Sequence, residues 1–209
     1  MKVPVLIYEA VLRLQPPRAP VSPSFKFQLL RWASNHVVRG IVNGSTPNVH
    51  AWLGIPYAKP PVGHLQHRCL HPTNLSPRAI CQMPYLISTP VSEDCLTVSI
   101  WAPSRICEAL PVVIFLHEGG LGSGGTSVQY QIPANWVERS QSHIVVSIQY
   151  RLGVFGFLSS HALRETSQNL GLLDQRLAIE WVRDNIAVFG GNPEQTTLWG
   201  QSAGAASID

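Results

Sequence analysis

A chain of 209 residues with 15 basic and 12 acidic side chains carries a formal charge of +3, and 45% of it is apolar against 13% charged. That balance excludes a disordered chain, whose signature is low hydrophobicity with high net charge, and 17 Pro with 16 Gly fall short of a low-complexity or collagen-like composition. At roughly 150 residues per domain, the length suits one complete domain or part of a larger one. The charge is unevenly spread: residues 1–92 hold nine Lys or Arg against Glu9 alone, and residues 93–209 hold six basic against eleven acidic residues. The basic residues are scattered singly among prolines, without the clustering on one element that a nucleic-acid surface needs, so no nucleic-acid partner is expected. No run of about 18 apolar residues exists, so no membrane span is expected.

In chain order, Met1-Lys2 followed by Val3–Tyr8 starts like a secretory signal, but Glu9 interrupts the apolar run and no small-x-small cleavage site follows closely. Export therefore stays open. Residues 1–34 lack a sustained period, and Pro16, Pro17, Pro20 and Pro23 deny a helix to their middle, which reads as an atypical N-terminal extension. From His36 to Pro90 short stretches such as Val37–Val42 and Ala51–Ile55 suit small strands between long loops. Two glycosylation sequons fall here, Asn43-Gly44-Ser45 and Asn74-Leu75-Ser76. Cys69, Cys81, Cys95 and Cys107 have neither a C-x-x-C spacing nor a paired His pattern, so no zinc is expected and the number of disulfides stays open.

After Glu93 the pattern sharpens. Leu96–Trp101, Pro111–Leu116 and Ile144–Tyr150 are β-branched and aromatic runs of strand length, the last two apolar enough for strands covered on both faces of a largely parallel sheet. Pro133–Arg139 offers a short helix. A longer one follows Asn169, a cap candidate, with Leu172, Leu173, Leu177, Trp181, Val182 and Ile186 on one face, and Gly190-Gly191 ends it. Thr196–Trp199 is a further strand, and the alternation makes an α/β pattern.

Gly200-Gln201-Ser202-Ala203-Gly204 has the Gly-x-Ser-x-Gly form, which places a serine on a sharp strand-to-helix turn with its hydroxyl exposed. His117-Glu118-Gly119-Gly120-Leu121 follows the strand ending at Leu116, where a glycine-rich turn lets backbone N–H groups point at a substrate oxygen.

With these two pieces the chain resembles the type-B carboxylesterase and lipase family, to which the cholinesterases belong. The matching stretches are Gly54–Gly63, Ser92–Leu96, Tyr150–Gly153, Gly156–Leu158 and Asn169–Ser207, together about residues 39–209 in the family's order. The resemblance implies an α/β-hydrolase fold, truncated after the nucleophile elbow, with residues 35–209 as the N-terminal part of the domain. It implies a carboxylic ester hydrolase acting on small-molecule esters through an acyl-enzyme, with Ser202 as nucleophile, the N–H groups of Gly119, Gly120 and Ala203 as oxyanion donors, and no metal or cofactor. It also implies a Cys81–Cys95 disulfide, which leans toward secretion or the endoplasmic reticulum, and a structural Arg151–Asp174 pair.

Several features depart from the family. Its acid and base follow the nucleophile in sequence, yet all eight histidines precede Ser202, so the 209-residue chain is expected to have little activity. The sheet edge beyond Thr196–Trp199 is expected to be uncovered and one apolar helix face bare, inviting aggregation. Glu118 replaces a glycine of the turn, Gln201 replaces an acid beside the nucleophile, and Gln66-His67 stands where the family has the arginine that would pair with Glu93. The alternative reading is a truncated, noncatalytic cholinesterase-like protein whose surface binds a partner.

Overall fold

A computed structural model describes residues 9–13, 30–32, 36–38, 40–58, 95–158 and 168–209. Its strands are β1 (Glu9–Arg13), β2 (Leu30–Trp32), β3 (His36–Val38), β4 (Ile41–Asn43), β5 (Thr46–Pro56), β6 (Thr97–Pro103), β7 (Leu110–Leu116), β8 (Ile144–Ile148) and β9 (Gly191–Gln201). The α-helices are α1 (Ala134–Ser140), α2 (Gly153–Gly156), α3 (Leu170–Asn185) and α4 (Ala203–Ala206).

Seven strands form one sheet in the order β1-β9-β7-β8-β6-β5-β4, and β2 pairs with β3 separately. Only β9, β7 and β8 run parallel; β6 joins β8 antiparallel, as do β5 to β6, β4 to β5 and β1 to β9. The sheet is therefore mixed, with a parallel centre, and not the largely parallel one expected. The continuous apolar runs have the anticipated cause. Val112, Ile114 and Leu116 of β7 and Ile144, Val146 and Ile148 of β8 point into the larger core with Trp181, Val182 and Ile186. The alternate residues Phe115 and Val145 enter a second core with Trp101 of β6 and Val137 of α1. Side chains alternate between faces along a strand, so a strand covered on both sides must be apolar at every step.

Two expectations need correction. The outer edge of β9 is occupied: β1, from within the expected extension, pairs along it from Glu9 opposite Gln201 to Arg13 opposite Thr197. Backbone N–H and C=O groups of β9 that would have offered a template for another chain are satisfied from within. The second concerns α3. Its buried residues are Gly171, Asp174, Gln175, Ala178, Trp181 and Val182, whereas Leu172, Leu173 and Leu177 are 39%, 51% and 43% exposed. Leu172 instead borders a groove of about 360 Å³ with Leu116, Ile179, Leu198 and Ile208.

Polar partners inside the fold set this rotation. Asp174 accepts from the Arg151 backbone N–H at 3.1 Å and from its Nε and a terminal nitrogen at 2.6 Å each. A Cβ at Gly171 would lie 2.4 Å from Phe157 and 2.7 Å from the Arg151 carbonyl oxygen, so only glycine lets α3 approach this closely. Asn169 does occupy the N-cap, but in a left-handed conformation with φ 53° and no side-chain cap bond; its carbonyl accepts from Leu172 N–H at 2.9 Å. The helix passes through a 3-10 turn, Ile186–Phe189, and stops at Gly190 with φ 84°.

Cys95 is buried and Cys107 is an exposed free thiol, while Cys69, Cys81, Gln66, His67, Glu93 and the Asn74 sequon lie outside the described residues. No helix among the described residues is long and apolar enough to cross a membrane.

The Arg151–Asp174 pair is nearly dry, and removing one buried partner strands the other's charge. Asp174→Asn is expected to cost about 3 kcal/mol in denaturant unfolding; a loss below about 1 kcal/mol, the scale of exposed pairs, would contradict this role.

Candidate active site

The elbow is built by β9 turning directly into α4. Ser202 sits between them with φ 50° and ψ −116°, a conformation that L-residues seldom adopt. Ser202 is exposed and makes no side-chain cap bond to α4, so its Oγ is not consumed in capping. Glycines make the turn feasible. A Cβ at Gly200 would lie 2.4 Å from the Gly204 carbonyl carbon, and one at Gly204 would lie 2.2 Å from the Leu116 carbonyl oxygen and 2.8 Å from that of His117. The first turn of α4 is therefore pressed against the end of β7.

Leu116 pairs with Gly200 across the parallel β7–β9 ladder. The turn after β7 and the elbow after β9 consequently emerge at the same end of neighbouring strands. Gly119 and Gly120 have φ 118° and 61°, and Leu121 follows at 59°. The Gly119 carbonyl accepts from Gly122 N–H at 3.1 Å, Ser123 N–H at 3.0 Å and Ser123 Oγ at 3.1 Å, which turns it into its own loop. Among the described residues, neither the Gly119 nor the Gly120 N–H donates a hydrogen bond, and the Ala203 N–H, first in α4, has no intrahelical acceptor.

Beneath the site lies a polar chain that sequence reasoning did not find. The Tyr150 hydroxyl donates to the His117 carbonyl at 2.8 Å, and the Gln175 side chain lies against that hydroxyl. Gln175 Nε2 also donates to Ser207 Oγ at 3.3 Å, and Ser207 Oγ donates to the Ala203 carbonyl at 2.9 Å. Gln175 thus stands between the packing under the glycine turn and the elbow helix. Its only sequence signal was a polar Asp174-Gln175 pair inside a leucine-rich helix. Burial raises the Tyr150 pKa, partly offset by the Gln175 bond, so the hydroxyl stays a donor.

His117 is buried and stacked on Tyr150 with ring centroids 4.4 Å apart. Its Nδ1 lies 2.8 Å from the Glu118 carbonyl, which can only accept, so Nδ1 carries the proton. His143 precedes β8 at the opposite end of the parallel strands. Burial pushes the Glu118 carboxyl above its ordinary value. Among the described residues no group of three or more His, Cys, Asp or Glu could hold a metal ion.

The carboxylesterase family profile matches residues 33–209. The chain belongs to the carboxylesterase family. It is 44% identical over 207 residues to the chlorogenic acid esterase of Aspergillus niger, covering 86% of this chain and 40% of that protein. With the para-nitrobenzyl esterase of Bacillus subtilis strain 168 it shares 39% over 186 residues, covering 81% and 38%. A solved PNB esterase structure superposes with a TM-score of 0.72 at 34% identity, over 87% of this chain and 40% of that one. The sheet and helices are thus part of an α/β-hydrolase fold, and the chain spans about two fifths of the length of these relatives.

Two outcomes are expected. Ser202→Gly should raise stability by about 1 kcal/mol in denaturant unfolding, because strain of this kind costs on the order of 1–3 kcal/mol; no gain would mean that the elbow is relaxed. Glu118 holds its proton more tightly folded than unfolded. Its contribution to stability is full below the unfolded pKa and is lost as pH rises through the folded one. Glu118→Gln should remove that component from a series of unfolding midpoints between acid and neutral pH, and an unchanged profile would contradict it.

Proposed function

We propose that residues 35–209 are the nucleophile-bearing part of a serine carboxylic ester hydrolase that works through an acyl-enzyme. The observation that carries the reading is Ser202, held at positive φ with its hydroxyl exposed, at the same sheet end as a glycine turn whose N–H groups have no acceptor among the described residues. Ser202 Oγ attacks the ester carbonyl, and the negative charge that develops on the carbonyl oxygen is met by the N–H groups of Gly119, Gly120 and Ala203. Collapse of that intermediate expels the alcohol and leaves the acyl group on Ser202, from which water releases it. These donors cost nothing to reorganise because the backbone already fixes them. A small-molecule carboxylic ester is the substrate class, supported by relatives named as esterases. A Cys81–Cys95 bridge belongs to the same proposal and is supported by the disulfide-bonded state of Cys95.

The chemistry also needs a base for the serine proton. Of the histidines whose side chains are described, His117 is held in the packing under the turn, His143 stands at the far end of the strands, and His50, opposite Ala102 of β6, lies toward that same far end. The 209-residue chain assayed alone is therefore expected to turn over esters slowly, since loss of the histidine from a comparable triad costs about 10⁶ in turnover.

The test joins residues 35–209 to the complementary remainder of the Bacillus subtilis para-nitrobenzyl esterase, with folding checked by circular dichroism. The chimera should hydrolyse a p-nitrobenzyl ester, and Ser202→Ala should abolish turnover by about 10⁶-fold. A folded chimera whose activity survives Ser202→Ala would contradict the role of Ser202. Labelling of Ser202 in the 209-residue chain by an activated phosphonate would contradict its expected inactivity.

A further inference from the structure

The β4–β5 hairpin takes no part in the site, yet its tip is Asn43-Gly44-Ser45, an Asn-x-Ser acceptor pattern. All three residues are exposed, and a Cβ added at Gly44 would meet nothing within 4 Å. The Asn43 carboxamide is already organised. Its Oδ1 accepts from the Ser45 N–H at 3.1 Å and from Ser45 Oγ at 3.1 Å. Its Nδ2 makes no hydrogen bond among the described residues.

We propose that Asn43 is an N-glycosylation site. An amide nitrogen is a poor nucleophile because its lone pair is delocalised onto oxygen. Two donors on Oδ1 draw electron density toward that oxygen and acidify the Nδ2 protons, so a transferase base can remove one. Nδ2 then attacks the anomeric carbon of a polyprenyl-pyrophosphate-linked oligosaccharide. The new N–C bond forms as the C–O bond to pyrophosphate breaks, the pyrophosphate leaves with the electron pair, and the proton goes to the transferase. The Ser45 hydroxyl is the side chain that makes the arrangement, which is why the third position of the pattern matters here.

The location gives the modification a physical consequence. β4 is the last strand of the sheet, and its Ile41 and Val42 are 57% and 48% exposed. An exposed apolar edge strand is a template for pairing with another chain. Among the described elements nothing pairs with the outer side of β4. A glycan at the end of that strand shields it without disturbing any packed side chain. The proposal stands independently of the role of Ser202.

The experiment translates the full chain behind a cleavable signal sequence with endoplasmic-reticulum microsomes, as the parent and as Asn43→Gln, Ser45→Ala and Asn74→Gln variants, scoring only protease-protected, translocated product. Asn74→Gln should keep one glycan, released by peptide N-glycosidase with aspartate left at position 43 by mass spectrometry. Adding Asn43→Gln or Ser45→Ala to that background should remove it. Release should proceed on the folded, undenatured chain, because the hairpin tip is exposed. Translocated Asn74→Gln product bearing no glycan at Asn43, or a glycan there that the glycosidase reaches only after denaturation, would overturn the proposal.

Discussion

The parallel pairing of β7 with β9 sets Leu116 opposite Gly200, and everything that makes the site depends on how closely α4 can fold back onto that pair. Glycine at positions 200 and 204 decides it. A side chain at either would fall 2.4 Å or less from backbone atoms, and backbone cannot swing aside as a flexible side chain can. Alanine at position 204 would push α4 away from the Leu116 and His117 carbonyls and open the elbow that strains Ser202. The glycines of Gly-x-Ser-x-Gly are thus a packing requirement first, and the exposed hydroxyl is what that packing produces.

The strain at Ser202 has to be held by its surroundings, and the structure shows what holds it. Tyr150 holds the His117 carbonyl, and Gln175 beside it holds Ser207, which in turn donates to the Ala203 carbonyl. The Arg151–Asp174 pair fixes α3 against the segment after β8. Buried hydrogen bonds contribute modestly when made but are costly to break, because the stranded partner keeps its desolvation penalty. Such networks therefore act as positioning devices more than as stabilisers. Here they keep two turns from different strands at a fixed separation, the requirement for preorganised donors.

The strands were legible in the sequence because their cause is local and repeated: β7 and β8 are apolar at successive positions since both faces are covered. The serine turn was legible for a similar reason, as its glycines and small residues sit within five positions. What could not be read depends on partners distant in the chain. The rotation of α3 follows from Asp174 and Gln175 finding Arg151, Tyr150 and Ser207, which outweighs the pull of Leu172, Leu173 and Leu177 toward the core. Charged hydrogen bonds with no other buried outlet win that competition. The pairing of Glu9–Arg13 with β9 was equally hidden, since a five-residue strand carries no pattern that names its neighbour. Periodicity also misjudged the sheet's sense: a run covered on both faces looks alike in parallel and antiparallel ladders, so the largely parallel sheet it suggested is in fact mixed.

We propose that a strained serine and a set of main-chain donors face one point in space. A crystal structure of the chain measures that directly. The expected result is Ser202 at positive φ with its Oγ open to solvent, and the N–H groups of Gly119, Gly120 and Ala203 converging on a position about 3 Å from each donor and beside that oxygen. A Ser202 hydroxyl turned into the core, or a Gly119-Gly120 turn whose N–H groups point away from it, would contradict the claim.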